Sequence, residues 1–369
     1  MRVLMLSKAC VVGMYQRKLE ELASLVDVEL SLVVPPYWRQ GKTVLALEKM
    51  HTSGYGLYVL PMAFNGHFHV HFYPGLGRLV RDLRPDIMHV DEEPYNLATF
   101  QAMFLAQRAG SKAIFFTWQN LLRRYPLPFS LFERYNLRHA AAAISGSQEA
   151  SRVLRSKGYQ GPVHVVPQFG VDPGLHPHRS TARHSRAEFV IGYFGRMVKE
   201  KGVHILLRAA AALEGAWRLQ LIGDGSYLPT LKALTRQLGI EDRVIFESWK
   251  PAGEMPRYYG MLDALVLPSI TRPNWKEQFG RVLVEAMASE VPVIGASSGE
   301  IPHVIGNAGR VFAEGDVGAL REALCELMSN PDLCLELGRR GRLRVLEHYT
   351  HRRIAAATYK AYRQVMDPA

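Results

Sequence analysis

Of the 369 residues, 48% are hydrophobic and 21% are charged, which is typical of a globular protein. The chain is too long for one ordinary core, so two domains of about 150–200 residues are expected. No apolar run reaches the roughly 18 residues that span a bilayer, and no signal peptide precedes the first strand candidate. The three cysteines lack metal-ligand spacing, and the net charge of +11 favours an anionic partner, whereas no nucleic-acid-binding motif is present.

The first half of the chain alternates short apolar runs with amphipathic stretches. Such alternation predicts a parallel sheet with helices on both faces. The predicted strands are Arg2–Leu6, Glu29–Val34, Gly56–Pro61, Ile87–Val90, Ala113–Thr117, Ala141–Ile144 and Val163–Val166. The predicted helices are Gln16–Leu25, Leu76–Leu83, Leu97–Arg108 and Ser147–Ser156.

A polar stretch with proline, glycine, arginine and histidine then interrupts the alternation, and a second series begins. We therefore predict an amino-terminal domain over 1–172, a linker over 173–188, a second domain over 189–345, and a final segment, 346–369, whose helix packs back on the first domain. The second set of strands is Phe189–Phe194, Arg218–Ile222, Val244–Glu247, Ala264–Leu267, Val293–Ala296 and Gly309–Phe312. Its helices are His204–Leu213, Leu228–Leu238, Glu254–Gly260, Arg281–Ala288 and Val317–Ser329, with His351–Met366 last.

The fold class that follows is α/β, with two doubly wound, Rossmann-like domains facing a cleft. Ligands of such sheets bind outside the carboxyl ends of the strands. One strand ends at Gly195-Arg196, and Lys201-Gly202 precedes the next helix. A guanidinium, an ammonium group and a helix amino terminus together suit a diphosphate. The alternative is that both cations are solvated loop charges.

Two glutamates form a second candidate cluster. Glu277 and Glu285 are eight residues apart, a little over two helical turns, so both can face one site. Ionised carboxylates only accept hydrogen bonds and therefore suit hydroxyl-rich ligands. Gly280, at the helix entrance, would let backbone amides meet phosphate or sugar oxygens. The alternative is two unrelated surface glutamates.

These residues, together with Leu221–Gly225, Ala264–Ser269 and Val291–Gly295, occur in the order and spacing of a known family. The chain resembles the donor domain of retaining glycosyltransferase family 4 (glycosyl transferases group 1), which has the two-domain GT-B fold. The resemblance is strong over 186–330 and looser in the amino-terminal half.

The resemblance implies roles for individual residues. Glu277, Arg196 and Lys201 would form the catalytic set, the two cations holding the donor diphosphate and the glutamate accepting from sugar hydroxyls. Glu285 would hold the ribose hydroxyls. Backbone groups would contact the donor at Gly13, Gly195, Trp249, Lys250, Phe279 and Gly280. The family usually has two adjacent glycines at the first of these positions, where this chain has Val12-Gly13.

The chain also departs from the family. Many members carry a histidine after the strand that ends here near Thr117, where this chain reads Trp118-Gln119-Asn120. No catalytic histidine is therefore assigned. These three residues are acceptor-binding candidates, since the amides can hydrogen-bond a sugar and the indole can stack on one. For Trp118 the alternative is core packing.

Further acceptor candidates follow the strand Ile87–Val90. Glu92 and Glu93 would bind acceptor hydroxyls, and Glu92 could assist deprotonation; the alternative is a helix cap. Histidines alternate in the segment 66–71, and period two would put His67, His69 and His71 on one face of an extended segment. We favour an acceptor loop or packing over a metal site for them.

The expected activity is transfer of a hexose from a nucleotide-diphosphate sugar, UDP- or GDP-linked, to a hydroxyl of a glycan or lipid-linked acceptor with retention of configuration. No metal or cofactor is expected, because no Asp-X-Asp clamp is present and two cations can stabilise the leaving diphosphate. The segment 121–135 mixes arginines with aromatics, which favours a cytoplasmic protein at the inner, anionic membrane face or an ordinary amphipathic helix. A nucleotide-sugar epimerase, a phosphorylase and a non-catalytic sugar-nucleotide binder stay open as alternatives.

Overall fold

The computed structural model describes residues 1–41, 43–176 and 188–367. They divide into two compact units, of which the first comprises Met1–Gly170 with the segment from His351 onward, and the second comprises Val171–Thr350. The predicted linker, 173–188, lies mostly outside the described residues. Its described part, Pro173–His176, belongs to the second unit and begins with a short 3-10 turn over Pro173–Leu175.

The first unit is built on a seven-stranded parallel sheet. Val3 and Met5 belong to one core cluster and Leu4 and Leu6 to another, because alternate side chains of a strand point to opposite faces. Both faces are covered, so the strands read as apolar runs in the sequence. The strand order is β5-β2-β1-β6-β7-β8-β9. The bounds are β1 Arg2–Leu6, β2 Glu29–Val34, β5 Gly56–Val59, β6 Ile87–Val90, β7 Lys112–Thr117, β8 Ala142–Ser145 and β9 Val163–Val165.

Among the described residues, six α-helices belong to this unit. The Ser147 hydroxyl caps one of them by accepting from the Ala150 amide, which satisfies a donor that the helix start leaves free. The last helix of the chain packs on the first, and the Tyr362 hydroxyl lies 2.7 Å from His89 Nδ1 in the core. The helices are α1 Arg17–Ala23, α2 Leu76–Leu83, α3 Leu97–Ala109, α4 Phe129–His139, α5 Gln148–Ser156 and α13 His351–Met366.

The second unit repeats the plan with six parallel strands in the order β12-β11-β10-β13-β14-β15. Its strands are β10 Phe189–Phe194, β11 Trp217–Ile222, β12 Val244–Glu247, β13 Ala264–Leu267, β14 Val293–Ala296 and β15 Gly309–Phe312. Its helices are α6 Val203–Ala211, α7 Leu228–Gln237, α8 Met255–Tyr259, α9 Arg281–Ala288, α10 Ile301–Ile305, α11 Val317–Ser329 and α12 Pro331–His348. The α/β class and the two doubly wound sheets are therefore confirmed.

Several elements have no counterpart among the predicted ones. An antiparallel hairpin joins β3 Tyr37–Gln40 to β4 Thr43–Ala46. The helix α12 contains Gly338 and Gly341, which lower helix propensity. The first of them is there for packing, since a Cβ on Gly338 would lie 2.3 Å from the Glu290 carbonyl oxygen.

The predicted extended run of three histidines is wrong. Hydrogen bonds from the Val70 and His71 amides to the His67 carbonyl fold this segment into a turn. His67 is exposed and His71 is buried, so the side chains do not share a face. In the described part of the chain, no group of three His, Cys, Asp or Glu side chains is arranged to hold a metal ion.

Candidate functional site

In each unit the strand order reverses direction at one position. The chain moves outward on one side of β1 and then returns to add β6 on its other side, and β10 and β13 have the same relation. Ligands of open parallel sheets bind at such switch points, outside the carboxyl ends of the two central strands. The residues that follow these four strands are Ser7-Lys8, Asp91-Glu92-Glu93, Gly195-Arg196 and Pro268-Ser269.

The switch point of the second unit brings together two of the predicted catalytic residues. Lys201 Nζ lies 2.6 Å from Glu277 Oε2, and the Ser269 hydroxyl donates to the same oxygen over 2.7 Å. The Lys201 side chain is 15% exposed and that of Glu277 is 9% exposed, so the pair is only partly shielded from water. The indole of Trp275 covers the ammonium group at 5.1 Å from the ring centroid.

A glycine makes this arrangement possible. Gly202 caps the start of α6 with φ of 68°, in the left-handed region that glycine adopts without strain. A Cβ at this position would lie 1.8 Å from the Pro268 carbonyl oxygen. The close contact of the two loops therefore requires glycine, and it places Lys201 beside the end of β13.

Unlike Lys201, Arg196 has no carboxylate partner in the part of the chain that the structure describes. Its side chain is exposed, and its backbone carbonyl accepts from the Tyr193 hydroxyl over 2.8 Å. No ion pair involves its guanidinium among the described residues. This cation is available to an anionic ligand, whereas Lys201 must first share its charge with Glu277.

Glu285 lies in the second turn of α9 with both carboxylate oxygens occupied. The Tyr259 hydroxyl donates to one over 2.6 Å and Arg281 Nε to the other over 2.8 Å. Gly280 precedes the helix with φ of 81°, and Phe279 packs edge-on against Tyr349. Glu277 and Glu285 thus flank the start of one helix, each with its own set of donors.

The remaining predicted donor residues of the second unit follow β12. Trp249 is 56% exposed, and its backbone amide donates to Asp224 over 3.1 Å. Lys250 pairs with Glu247 over 2.8 Å and lies over the Tyr258 ring. An exposed indole at the carboxyl end of a strand is a suitable surface for stacking a planar ring.

Gly13, predicted to approach a diphosphate, lies in a 3-10 turn after β1. Its amide donates to Glu48 over 2.7 Å, and a Cβ on it would lie 2.5 Å from the Met50 side chain. In this conformation the amide is therefore already satisfied by a carboxylate.

At the switch point of the first unit, Glu92 is the centre of a buried charge cluster. It lies 2.5 Å from Lys8 Nζ and 2.8 Å from His71 Nε2, and it accepts from Asn96. Burial raises the pKa of Glu92, but the neighbouring charges of His71 and Lys8 outweigh it and lower the pKa to about 2. The other carboxylate oxygen is buried without a hydrogen-bond partner among the described residues.

Glu93 lies beside it in a different environment. It accepts from the Thr117 hydroxyl over 2.6 Å and from the Trp118 amide over 2.8 Å. Burial raises the pKa of Glu93 to about 7, against the opposing effect of these hydrogen bonds. The two adjacent glutamates therefore lose their protons at very different pH, and Glu93 is held at the end of β7 by Thr117 and Trp118.

The other acceptor candidates also lie at this end of β7. The Gln119 amide donates to the Tyr125 hydroxyl over 3.2 Å, while its carbonyl oxygen is buried without a partner among the described residues. Asn120 is buried. The Trp118 indole donates to Gln168 over 2.9 Å and packs at the edge of the core.

Sequence reasoning missed Lys8, Tyr259, Ser269 and Trp275, which complete these clusters, and it named His71 only as an acceptor-loop or packing histidine. Lys8 and Ser269 follow central strands, so the strand-end rule alone was sufficient to find them. The other three reach their carboxylate or ammonium partners only through tertiary contacts.

Comparison with known proteins identifies the family. Residues 178–344 match the family model described as "Glycosyl transferases group 1", and residues 14–168 match the "Glycosyl transferase 4-like domain". The chain belongs to the group 1 glycosyl transferases. This confirms the resemblance drawn from the motifs.

Curated relatives are matched over part of their length. The GDP-mannose-dependent alpha-(1-6)-phosphatidylinositol monomannoside mannosyltransferase of Mycolicibacterium smegmatis is 32% identical over 170 residues, 44% of each chain. The N-acetyl-alpha-D-glucosaminyl L-malate synthase of Bacillus anthracis is 32% identical over 49% of this chain and 47% of that protein. The match thus spans about half the length of these relatives.

Solved structures match the whole chain. Sucrose-phosphate synthase from Thermosynechococcus elongatus has a TM-score of 0.74 at 18% identity and is covered over 99% of both chains. HepE of Anabaena, solved in complex with UDP, has the same TM-score of 0.74 at 17% identity, over 99% of this chain and 100% of that one. At these identities the likeness concerns the fold, which is GT-B. Among the described residues, no helix has the length and apolar character to cross a bilayer.

Proposed function

We propose that this protein is a retaining glycosyltransferase that moves a hexose from a nucleotide-diphosphate sugar to a hydroxyl of a glycan or lipid-linked acceptor, in polysaccharide biosynthesis. The contact of Lys201, Ser269 and Glu277, together with the exposed guanidinium of Arg196 after β10, carries the proposal. Two cations and a hydrogen-bond-accepting carboxylate are the groups that a sugar diphosphate needs.

In this mechanism, Arg196 and Lys201 stabilise the negative charge that grows on the departing diphosphate. Glu277 accepts hydrogen bonds from the sugar hydroxyls, and Glu285 holds the ribose. The acceptor hydroxyl attacks from the face that the leaving phosphate departs, and a phosphate oxygen takes its proton. The anomeric configuration is then retained.

The donor nucleotide is UDP or GDP. Support for both comes from relatives, since the mycobacterial protein is named GDP-mannose-dependent and the Anabaena structure contains UDP. A thermal-shift screen of nucleoside diphosphates and their sugars tests this, because a ligand that binds the native state raises Tm by mass action. The base that raises Tm at the lower concentration is the physiological one.

Product analysis tests the reaction itself. Incubation with a nucleotide sugar and a glycan acceptor should release nucleotide only when acceptor is present, and NMR should show the donor anomer preserved. An inverted product would overturn the retaining mechanism. Conversion of the sugar without acceptor would instead indicate an epimerase, and donor binding without any turnover would indicate a binding protein. A requirement for inorganic phosphate would indicate a phosphorylase.

We also propose that the reaction proceeds without a metal or another cofactor, since two side-chain cations supply the charge that a divalent ion otherwise provides. Treatment with a chelator should leave the initial rate unchanged.

The acceptor side of the proposal rests on the first unit. Glu92 and Gln119 each hold a buried oxygen without a partner among the described residues, and such atoms are free to accept from acceptor hydroxyls. Glu92, with a pKa of about 2, is a poor base, so we propose Glu93, with a pKa of about 7, in its place as the group that assists the phosphate oxygen in deprotonation. Replacement of Gln119 should therefore raise KM for the acceptor and leave donor binding unchanged.

We further propose that the protein works in the cytoplasm and meets its acceptor at the inner, anionic face of the membrane. Leu122, Leu127 and Leu131 are exposed among the arginines of the segment 121–135, which supports contact with such a surface. Sedimentation with vesicles at low salt tests this, and failure to bind anionic vesicles would count against it.

A further inference from the structure

One cavity of the first unit is lined by residues that have no part in the transfer reaction proposed above. It is about 940 Å³ in volume and is lined by the chain after β7, by one side of α4 and by the turn after α5. This volume is in the range of small-molecule sites, which is about 300–1,000 Å³. The charged residues of the lining are Arg123, Arg124, Arg134, Arg138, Lys157 and Glu133.

The lining is strongly cationic, with five basic side chains and one carboxylate. Glu133 is already paired with Lys157, whose ammonium also lies over the Tyr125 ring at 5.0 Å. Arg124, Arg134 and Arg138 have no carboxylate partner among the described residues. The charges of these three arginines are therefore not compensated by a carboxylate in the described part of the chain.

Two of these arginines lie so close together that their like charges destabilise the protein when no anion is bound. Arg134 and Arg138 lie four residues apart on α4, where like charges repel each other. Arg138 gains from the carbonyl end of the helix, but Arg134 lies a turn earlier. A bound anion would remove the repulsion, and planar guanidinium groups suit phosphate oxygens in particular.

Two neutral phenols, Tyr125 and Tyr159, also line the cavity, and the Tyr159 hydroxyl donates to the Ala140 carbonyl over 3.4 Å. Burial raises the pKa of Tyr125 to about 12 and also raises that of Tyr159, so both phenols keep their protons at neutral pH. The Tyr125 hydroxyl accepts from Gln119, which connects the wall of the cavity to a candidate acceptor residue.

We propose that this cavity binds a phosphoester group, either the headgroup of an anionic lipid or the phosphate of a soluble compound. Leu122 lines the cavity and is 66% exposed, so a lipid source has an apolar surface to meet at the same place. The proposal goes beyond the transfer reaction, and in its lipid form it rests on the proposed membrane contact.

The test compares two double variants of the full-length protein. R134Q/R138Q removes two cavity charges, and R81Q/R108Q removes two exposed helical arginines of the same unit as a matched control. The probes are phosphatidylcholine vesicles with and without phosphatidylglycerol, and inorganic pyrophosphate measured by calorimetry. Each arginine near an anionic surface raises binding roughly fivefold, so the cavity variant should bind its probe about 25-fold more weakly. The control should stay within about twofold, since its charges lie outside the cavity.

If R134Q/R138Q loses binding to anionic vesicles but not to pyrophosphate, the phosphoester is a lipid headgroup. If it loses binding to pyrophosphate, the ligand is a soluble compound. If R134Q/R138Q binds both probes as the wild type does, or if R81Q/R108Q loses as much, the cavity is not a phosphoester site. Nucleotide binding by the second unit is measured on the same variants. Its failure in the wild type would overturn the transferase proposal without touching this one.

Discussion

The contact between Lys201 and Glu277 allows a prediction in which nucleotide binding and sugar transfer respond differently to one substitution. Glu277→Gln keeps the shape of the side chain and its hydrogen bond from Ser269 but removes its charge. The 2.6 Å contact with Lys201 then becomes a hydrogen bond to a neutral oxygen. A hydrogen bond to a charged group contributes about 1.5–3 kcal/mol, so we expect a loss of about 1–2 kcal/mol in the free energy of unfolding.

The effect on transfer should be larger. A neutral amide accepts less strongly from sugar hydroxyls, and loss of one preorganised contact to the transition state typically costs about 100- to 1,000-fold in kcat. Binding of UDP or GDP without a sugar should not weaken, because Lys201 is released from its partner and one negative charge is removed from the site. Calorimetry with the nucleoside diphosphate and turnover with the nucleotide sugar measure the two effects on one protein.

Glu326→Gln is the matched control. Glu326 also pairs with a cation, since it accepts two hydrogen bonds from Arg310, but it lies on the exposed side of α11. Its neutralisation should therefore leave nucleotide binding and turnover unchanged. The reasoning is refuted if Glu277→Gln weakens nucleotide binding as much as it slows transfer, since the pair would then be structural. Unchanged turnover would refute the assignment of Glu277 itself.

Three further changes probe other parts of the molecule. Glu285→Gln should raise KM for the nucleotide sugar about 10- to 100-fold with little effect on kcat, because a ribose hydrogen bond to a charged acceptor contributes about 1.5–3 kcal/mol. Since burial holds the pKa of Glu93 at about 7, above its ordinary value, the native state binds the extra proton and stability should fall as pH rises from about 4.5 through 7. Glu93→Gln should flatten that part of the profile in urea titrations. Gly202→Ala should cost about 3 kcal/mol or more in the free energy of unfolding, because its Cβ would lie 1.8 Å from the Pro268 carbonyl oxygen.

Each of these has its own control. Glu326→Gln, as above, should leave KM unchanged when compared with Glu285→Gln. Gly239→Ala has a similar φ of 66° but open space around it, so it should cost only about 1–2 kcal/mol. Equal losses of stability at the two glycines would show that backbone strain, rather than the contact between loops, explains the requirement for glycine at Gly202. A slope in stability that survives Glu93→Gln would belong to another group.

The central strands were predictable from the sequence because they are buried on both faces. Leu4 and Leu6 face one side and Val3 and Met5 the other, so β1 appears in the sequence as an unbroken apolar run. The hairpin at Tyr37–Gln40 lacks this signal, since three of its four side chains are exposed. The helix α12 lacks it as well, because Gly338 is present to let the Glu290 backbone approach and local propensity argues against a helix there.

The candidate site, like the fold, was only partly predictable, because some of its features are local in the sequence and others depend on tertiary contacts. That Arg196 and Lys201 follow β10 is a local fact, and the sequence places them at a strand end without any knowledge of the fold. That Lys201 meets Glu277 depends on the crossover that puts β13 beside β10, and these two side chains are 76 residues apart in the chain. Motif reasoning assigned them to two parts of one ligand, whereas the structure makes each the partner of the other. A pair that must separate before it can bind reduces the binding energy available to the donor by the cost of that separation. This is why we expect neutralisation of Glu277 to slow sugar transfer without weakening nucleotide binding.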